Sequence, residues 1–354
     1  VKPLENSQWV SLFETGRRGS IHLEGLSLSS EGSVSAGQAV DFNSYNSGDG
    51  YSNRDAHNIV CDNCDFDGFK SAIVGFSTSA GAAGASAIDP TQRSTGPNDF
   101  IAVQDCTFSN GHYYYFYGWN LVEKWLFSRV TFLPNNEETG FACLRLYNLG
   151  RGYAEDVTED AGDSNRTRFI PGPEGGAEGS QRLQSFVRYT KYGGTGNASF
   201  AFETDPSFSG VSFVNDVRFV DCKFLGCQVS IRDQQAADNG ISIANLDFIN
   251  CIAEGWSFAV SGPGNEVSSV NMKNCIAINN DGIGGKFISI GPPASAWADD
   301  SLSIRGCGVY WPSSTTAASQ SNFYNAFRLP ELEVSRILGD CDYNFLAYID
   351  GDWN

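Results

Sequence analysis

The chain is poor in the residues that most catalytic and metal centres draw on. It has three histidines, one methionine and ten cysteines in 354 residues. Cysteine at that level does not make a disulfide scaffold, and three histidines leave little material for a histidine-built metal site. Charged residues are only 18% of the chain, while 25 Phe, 14 Tyr and 7 Trp are present, which excludes intrinsic disorder. No apolar run approaches the roughly 20 residues that span a bilayer, so membrane insertion is not expected. Glycine is frequent, at 39, without any strict triplet, which excludes a collagen-like rod. Basic residues are outnumbered, 23 to 41, for a net charge of −18. Such a body repels nucleic acid and anionic membranes unless a local basic strip intervenes. Of the basic residues 16 are Arg and 7 are Lys, and the guanidinium fork is the better match for carboxylates and sulfates. The sequence opens at Val1 with no Met or apolar leader, so the chain is expected to be a fragment of a longer or processed protein.

One internal repeat organises the whole chain. Taking a Cys as origin, the sequence writes apolar, any, apolar, any, Asp/Asn/Gly, Cys, any, apolar. The copies are Ile59 to Phe66 around Cys64, Ile101 to Phe108 around Cys106, Val217 to Phe224 around Cys222, and Leu246 to Ala253 around Cys251. Val270 to Ala277 around Cys275 and Leu302 to Val309 around Cys307 follow, with a degenerate copy at Leu338 to Tyr343 around Cys341. Ile21 to Leu28 and Trp125 to Phe132 keep the pattern with Leu26 and Val130 at the origin. Apolar residues at alternate positions predict strands with one buried face. The Asp/Asn/Gly before each origin tolerates a left-handed backbone, so each unit is expected to turn a corner there. The shortest spacing between origins is 24 residues, about one coil of a stacked solenoid in which Cys fills an interior column.

A second strand is expected after most origins, at residues 72–76, 113–119, 141–147, 185–191, 228–233, 257–261, 286–290 and 325–329. With helical signals scarce, the expected fold is all-β, a right-handed single-stranded parallel β-helix with loop insertions, forming one domain over residues 1–354. The coil pattern resembles the right-handed parallel β-helix superfamily of pectate-lyase-like proteins over roughly residues 20–345. That superfamily also holds polysaccharide lyases, glycoside hydrolases, epimerases and bacteriophage tailspikes. The resemblance implies an extracellular, secreted or virion-surface protein, and, by analogy with tailspikes, a homotrimer. It transfers no catalytic residue, because a fold hosts many functions.

Repeated apolar context makes buried free thiols the favoured reading of the origin cysteines. Cys61 and Cys64 resemble half of a zinc or redox motif, but no second pair or His cluster accompanies them, and no metal site is expected. His22 and His57 are read as solvated or core-edge residues, whereas His112 precedes the most aromatic stretch, Tyr113 to Trp119.

Alternation along the second strands supplies the candidate site. If Leu144 and Leu146 face inward, Arg145 and Tyr147 face outward. Placing Val187 and Tyr189 inward brings out Arg188 and Thr190, and Val229 and Ile231 inward bring out Ser230 and Arg232. With Phe116 inward, Tyr115 and Tyr117 face out. Coils stacked ~4.8 Å apart would then line up Tyr115 and Tyr117, Arg145 and Tyr147, Arg188, and Arg232 on one face. Such a strip suits an extended acidic polysaccharide, with aromatic faces for sugar rings and Arg for carboxylates or sulfates. His112, Tyr115, Tyr117 and Trp119 are the candidate substrate-binding residues. In a β-eliminating lyase, Arg145, Arg188, Arg232 and Lys191 would neutralise the enolate-like charge and Tyr147 would shuttle the proton. A glycoside hydrolase would instead need paired carboxyls, for which Glu203, Asp205 and Asp233 are the candidates. A non-catalytic glycan-binding spike or adhesin and a structural rod are the competing classes. The opposing reading of the strip is surface Arg paired with neighbouring Asp and Glu.

The segment from about 150 to 184 breaks the repeat and is expected to be a loop insertion beside the strip. Its acidic residues Glu155, Asp156, Glu159, Asp160 and Asp163 are a candidate calcium ligand set, although their spacing lacks the ordered calcium-loop pattern and a solvated run is preferred. No other cofactor is expected.

Overall fold

The computed structural model describes residues 11–14, 19–30, 37–41, 57–69, 71–75, 99–111, 114–118, 122–134, 142–147, 151–160, 166–170, 183–193, 199–203, 212–232, 241–254, 258–261, 266–278, 288–290, 298–311, 327–328, 339–342 and 345–348. Among these the fold is all-β, with no helix. Successive strands are dealt in turn to three sheets, here A, B and C, each of 11 strands. Every pairing among the described strands is parallel, and, apart from the short strand Glu266–Val267 that lies beside Ile241–Ile249 in sheet B, within each sheet a strand neighbours the strand one cycle earlier and one cycle later in the chain. The arrangement is consistent with a parallel β-helix. One consecutive A, B and C strand is called a rung below.

The reason lies in the residues between the B and C strands. Each of ten rungs has a single residue there with positive φ: Gly25, Asn63, Asp105, Arg129, Asp156, Arg188, Asp221, Asn250, Asn274 and Gly306, all between 49° and 63°. One left-handed residue reverses the pleat and swings the chain from sheet B to sheet C. Glycine, Asn and Asp accept that conformation most readily, and Arg is unusual in it. At Gly306 an added Cβ would also lie 2.6 Å from Asn274 Oδ1, so that corner admits only glycine without displacement of its neighbour.

The residue after the bend turns inward in nine of the ten rungs; Leu26, which follows Gly25 and was an expected origin, is instead exposed. Cys64, Cys106, Val130, Val157, Tyr189, Cys222, Cys251, Cys275 and Cys307 are all buried at this point. The thiols are free and donate to backbone carbonyls, as from Cys251 to Phe219 O at 3.6 Å and from Cys275 to Phe248 O at 3.4 Å. The expected Cys341 copy departs from this pattern. Ile304 N bonds Asp340 O and Gly306 N bonds Asp342 O, which sets Cys341 level with Ile304 rather than Cys307, and its side chain is exposed.

Inward positions stack by type. On sheet B, Phe186, Phe219 and Phe248 lie in register, their neighbouring rings 4.9 Å apart and nearly coplanar. On sheet C, Phe66, Phe108 and Phe132 do the same, at 4.7 and 5.0 Å. Such ladders bury large apolar area in offset-stacked geometry.

Two expectations are corrected. The segment from 150 to 184 is not simply a loop: it holds Arg151–Glu155 in sheet B, Thr158–Asp160 in sheet C and Arg166–Ile170 in sheet A. The gap of 92 residues between Val130 and Cys222 is filled by two further rungs, with Val157 and Tyr189 at the origin. Second, residues 185–191 are not a sheet A strand. Gln184–Val187 belongs to sheet B and Thr190–Tyr192 to sheet C, with the bend at Arg188 between them. Gln184 and Phe186, not Val187, are the buried residues of the first of these strands.

Candidate functional site

Sheet A carries the candidate site through its register. Val74, Tyr117, Arg145, Arg168, Ala201 and Ser230 occupy one column on six successive strands. The adjacent column, Ile73, Phe116, Leu144, Thr167, Phe200 and Val229, is buried throughout. Tyr117 and Arg145 are therefore vertical neighbours, as expected, and the next member is Arg168. Arg168 was missed because its strand lay inside the presumed insertion; the alternation of Thr167 and Phe169 around it was the available signal. Ser230, not Arg232, continues this column. Arg232 lies two positions further along its strand, directly in register with Glu203. Tyr147 pairs with Ile170 on the next strand.

Three expected site residues lie elsewhere. Tyr115 is 1% exposed and packs on Phe108 and Phe132. Its hydroxyl donates to Leu133 O at 2.8 Å and accepts from Gly111 N at 3.3 Å, and burial pushes its pKa well up. Tyr115 is a core residue, because both it and Phe116 turn inward where the chain enters sheet A.

Arg188 occupies the B to C corner, where its side chain is about half exposed. Its Nε donates to Asp156 Oδ1 at 2.6 Å, its Nη2 to Asp156 Oδ2 at 2.8 Å, and Nη2 also bonds the Glu155 carboxylate. Arg129 holds Asp105 in the same forked way at the corresponding corner, with both bonds at 2.6 Å. These hydrogen bonds from Arg129 and Arg188 hold the Asp105 and Asp156 carboxyls below their ordinary range. Further along, Asn250 donates to Asp221 Oδ1 at 2.9 Å and Asn274 donates to Asn250 Oδ1 at 3.2 Å. One line of corner side chains thus runs Asp, Arg, Asp, Arg, Asp, Asn, Asn. A guanidinium already forked onto one carboxylate and touching a second has few donors left for a ligand.

Lys191 is inside the molecule. It sits in the interior column of sheet C, between Glu159 on one side and Phe224 on the other. Both Lys191 and Glu159 are 0% exposed, and they are the two charged residues found buried among the described residues. Lys191 Nζ donates to Glu159 Oε1 at 2.8 Å and to Thr167 Oγ1 at 3.1 Å. Thr167 donates to the same Oε1, and Tyr189 donates to Oε2 at 2.6 Å. Burial by itself would pull the Lys191 pKa down, but the Glu159 carboxylate outweighs it and holds the ammonium charged. Burial and the same carboxylate push the Tyr189 phenol well up. The group is a satisfied ion pair tying sheet C to sheet A.

The remaining expected residues divide by what the structure describes. Glu203 and Arg232 have strand positions only, as do Arg145, Tyr147 and Tyr117; His112, Trp119, Asp205 and Asp233 lie outside the described residues. The acidic run read as candidate calcium ligands is dispersed: Glu155 and Asp156 hold Arg188, Glu159 is buried, and Asp163 lies outside the described residues. Among the described residues no group of three or more His, Cys, Asp or Glu side chains could hold a metal ion. Cys61 and Cys64 are both buried, and burial, followed by the neighbouring thiols, raises the Cys61 pKa.

No family model, no curated protein and no solved structure matches this chain.

Proposed function

We propose that the chain is a right-handed β-helix of the pectate-lyase-like kind that binds an extended acidic polysaccharide along sheet A, at the cell exterior or on a virion surface. The observation that carries this reading is the column Tyr117, Arg145, Arg168, one residue per rung at ~4.8 Å spacing. Two adjacent cationic positions beside an aromatic one suit repeating carboxylates or sulfates on a sugar polymer. The column continues as Ala201 and Ser230, residues too small to interrupt a chain lying along the sheet. On a body of net charge −18, a local cationic strip would also orient a polyanion.

Binding is favoured over cleavage. Of the five residues suggested for β-elimination, Arg188 is committed to two carboxylates and Lys191 is sealed in the core. Arg145 and Tyr147 remain on one strand, with Arg232 two rungs beyond Arg168's strand, and they keep β-elimination as the second reading. The test is incubation of the full chain with alginate and pectate. Saturable binding that is weakened by Arg145→Ala and by Arg168→Ala supports the proposal. Growth of ultraviolet absorbance from an unsaturated product would move the assignment to a lyase, and no binding of either glycan would remove it.

A further inference from the structure

An ion pair enclosed in an apolar core is not an economical way to gain stability, since a well-packed apolar pair of similar volume is often as good or better. Here it occurs once among the described residues, in a column otherwise made of Leu28, Phe66, Phe108, Phe132, Phe224, Ala253 and Ala277. Its location is informative. Glu159 belongs to the rung whose sheet A strand is Ala142–Tyr147, which holds Arg145, and Lys191 to the rung whose sheet A strand is Arg166–Ile170, which holds Arg168. Thr167, which accepts from Lys191 and donates to Glu159, is the residue immediately before Arg168. Like charges at directly opposed positions of neighbouring strands repel, and Arg145 and Arg168 are such a pair. The two rungs whose sheet A strands bring Arg145 and Arg168 into register are the two cross-tied from within.

We infer that Glu159, Lys191 and Thr167 are positioning residues that hold the strand Arg166–Ile170 in register, so that Arg168 is kept beside Arg145 for a polyanionic ligand. This rests on the polysaccharide reading for its ligand, but the strand clamp itself is observable without one. The tie reaches across the interior from sheet C to sheet A, so its loss acts on the strand that carries Arg168 without touching the sheet A column itself. Thr167→Val removes the hydroxyl at constant shape and leaves the ion pair in place; Thr167→Ser restores the hydroxyl.

The experiment compares these two variants, and the double variant Glu159→Gln/Lys191→Met, with the unaltered chain. Amide hydrogen exchange is measured over 166–170 against 199–203 as internal reference, and affinity is measured for alginate and pectate. In Thr167→Val and in the double variant, exchange over 166–170 is expected to rise about tenfold or more over the reference strand. Affinity is expected to fall about tenfold, the equivalent of one good charged contact. Thr167→Ser is expected to return both readouts to the level of the unaltered chain. Exchange over 166–170 that is unchanged in Thr167→Val and in the double variant would overturn the positioning role. Faster exchange with unchanged affinity would also overturn it, since the tie would then be structural alone. If the unaltered chain binds neither glycan, the polysaccharide reading fails, and with it the ligand, while the exchange comparison still decides whether the tie holds the strand.

Discussion

From Cys222 to Cys307 the rungs repeat one chemistry, while between Arg129 and Tyr192 the same backbone is built from another. In the first region the corner residues are Asp221, Asn250, Asn274 and Gly306, the origin is always Cys, and the sheet C interior is Phe224, Ala253 and Ala277. In the second the corners are Arg129, Asp156 and Arg188, the origins are Val130, Val157 and Tyr189, and the sheet C interior holds Phe132, Glu159 and Lys191. The B strands differ in the same sense: Val217, Leu246 and Val270 line the interior of the first region, and Trp125, Gly152 and Gln184 that of the second. What the two share is one left-handed residue per rung and an inward residue behind it. The geometry of the coil is therefore set by the bend and by interior volume, and the polarity of the interior is free to vary where hydrogen bonds can be completed.

The sharpest way to break the comparison is to treat the central core as though it were the regular one. Lys191→Met alone leaves Glu159 buried with its ammonium partner gone, and is expected to cost about 3–5 kcal/mol in urea denaturation. Adding Glu159→Gln should recover most of that loss, since no uncompensated charge then remains inside. A double variant no more stable than the single one would mean that the two regions differ in more than the pairing of these groups.

The next largest effect concerns volume. Trp125 of sheet B lies over Gly152 of the following rung, and a Cβ added at Gly152 would fall 1.7 Å from the indole Cε2. Gly152→Ala is expected to cost about 1–3 kcal/mol through overpacking, with broadened near-ultraviolet circular dichroism from the displaced indole. In the regular region a corner variant should cost less. Asn250→Ala keeps a left-handed residue without the Asn side chain that bonds Asp221, for a loss of about 1–2 kcal/mol, and Asn250→Gly should recover the backbone part of it.

This contrast also explains what could be read from the sequence. The rungs around Cys222, Cys251, Cys275 and Cys307 were legible because alternation, corner residue and origin all agree there. The sheet A strands at 228–232, 258–261 and 288–290 followed to within a residue or two. The stretch from 151 to 192 was not. Its inward positions include Glu159, Thr167, Gln184 and Lys191, so apolar periodicity fails, and the bend is made by Arg188, a residue that does not announce a left-handed corner. Counting Val187 as inward shifted the pattern by one position and carried Arg188 to the wrong sheet, since a slip of one residue exchanges the faces of a strand. Arg168 was hidden separately, because its strand lay inside the presumed insertion. Tyr115 failed for a different reason: alternation does not hold where the chain rounds the corner into sheet A, and two consecutive side chains turn inward there.

The smallest effect tests the corners. Asp105 and Asp156 are held below the ordinary value of 3.8 by hydrogen bonds from Arg129 and Arg188. A lowered carboxyl pKa contributes stability that is whole above the unfolded value and is lost as the pH falls through the folded one. The central corners should therefore add to an acid-side decline in melting temperature below about pH 4, and added salt should shrink their share, because these groups face solvent. Arg188→Asn sharpens the point, since Asn accepts the left-handed backbone more readily than Arg and converts the central corner to the chemistry of Asn250 and Asn274. At neutral pH and moderate salt it should leave the melting temperature nearly unchanged, the easier backbone offsetting the lost ion pair. At low pH it should flatten the decline, because Asp156 then titrates closer to its ordinary value. A variant that instead melts well below the unaltered chain at neutral pH and high salt would show that the guanidinium does more than bridge the carboxylates at this corner, and would reopen the question of why Arg is tolerated in a conformation that Asn and Gly fill elsewhere along the same line.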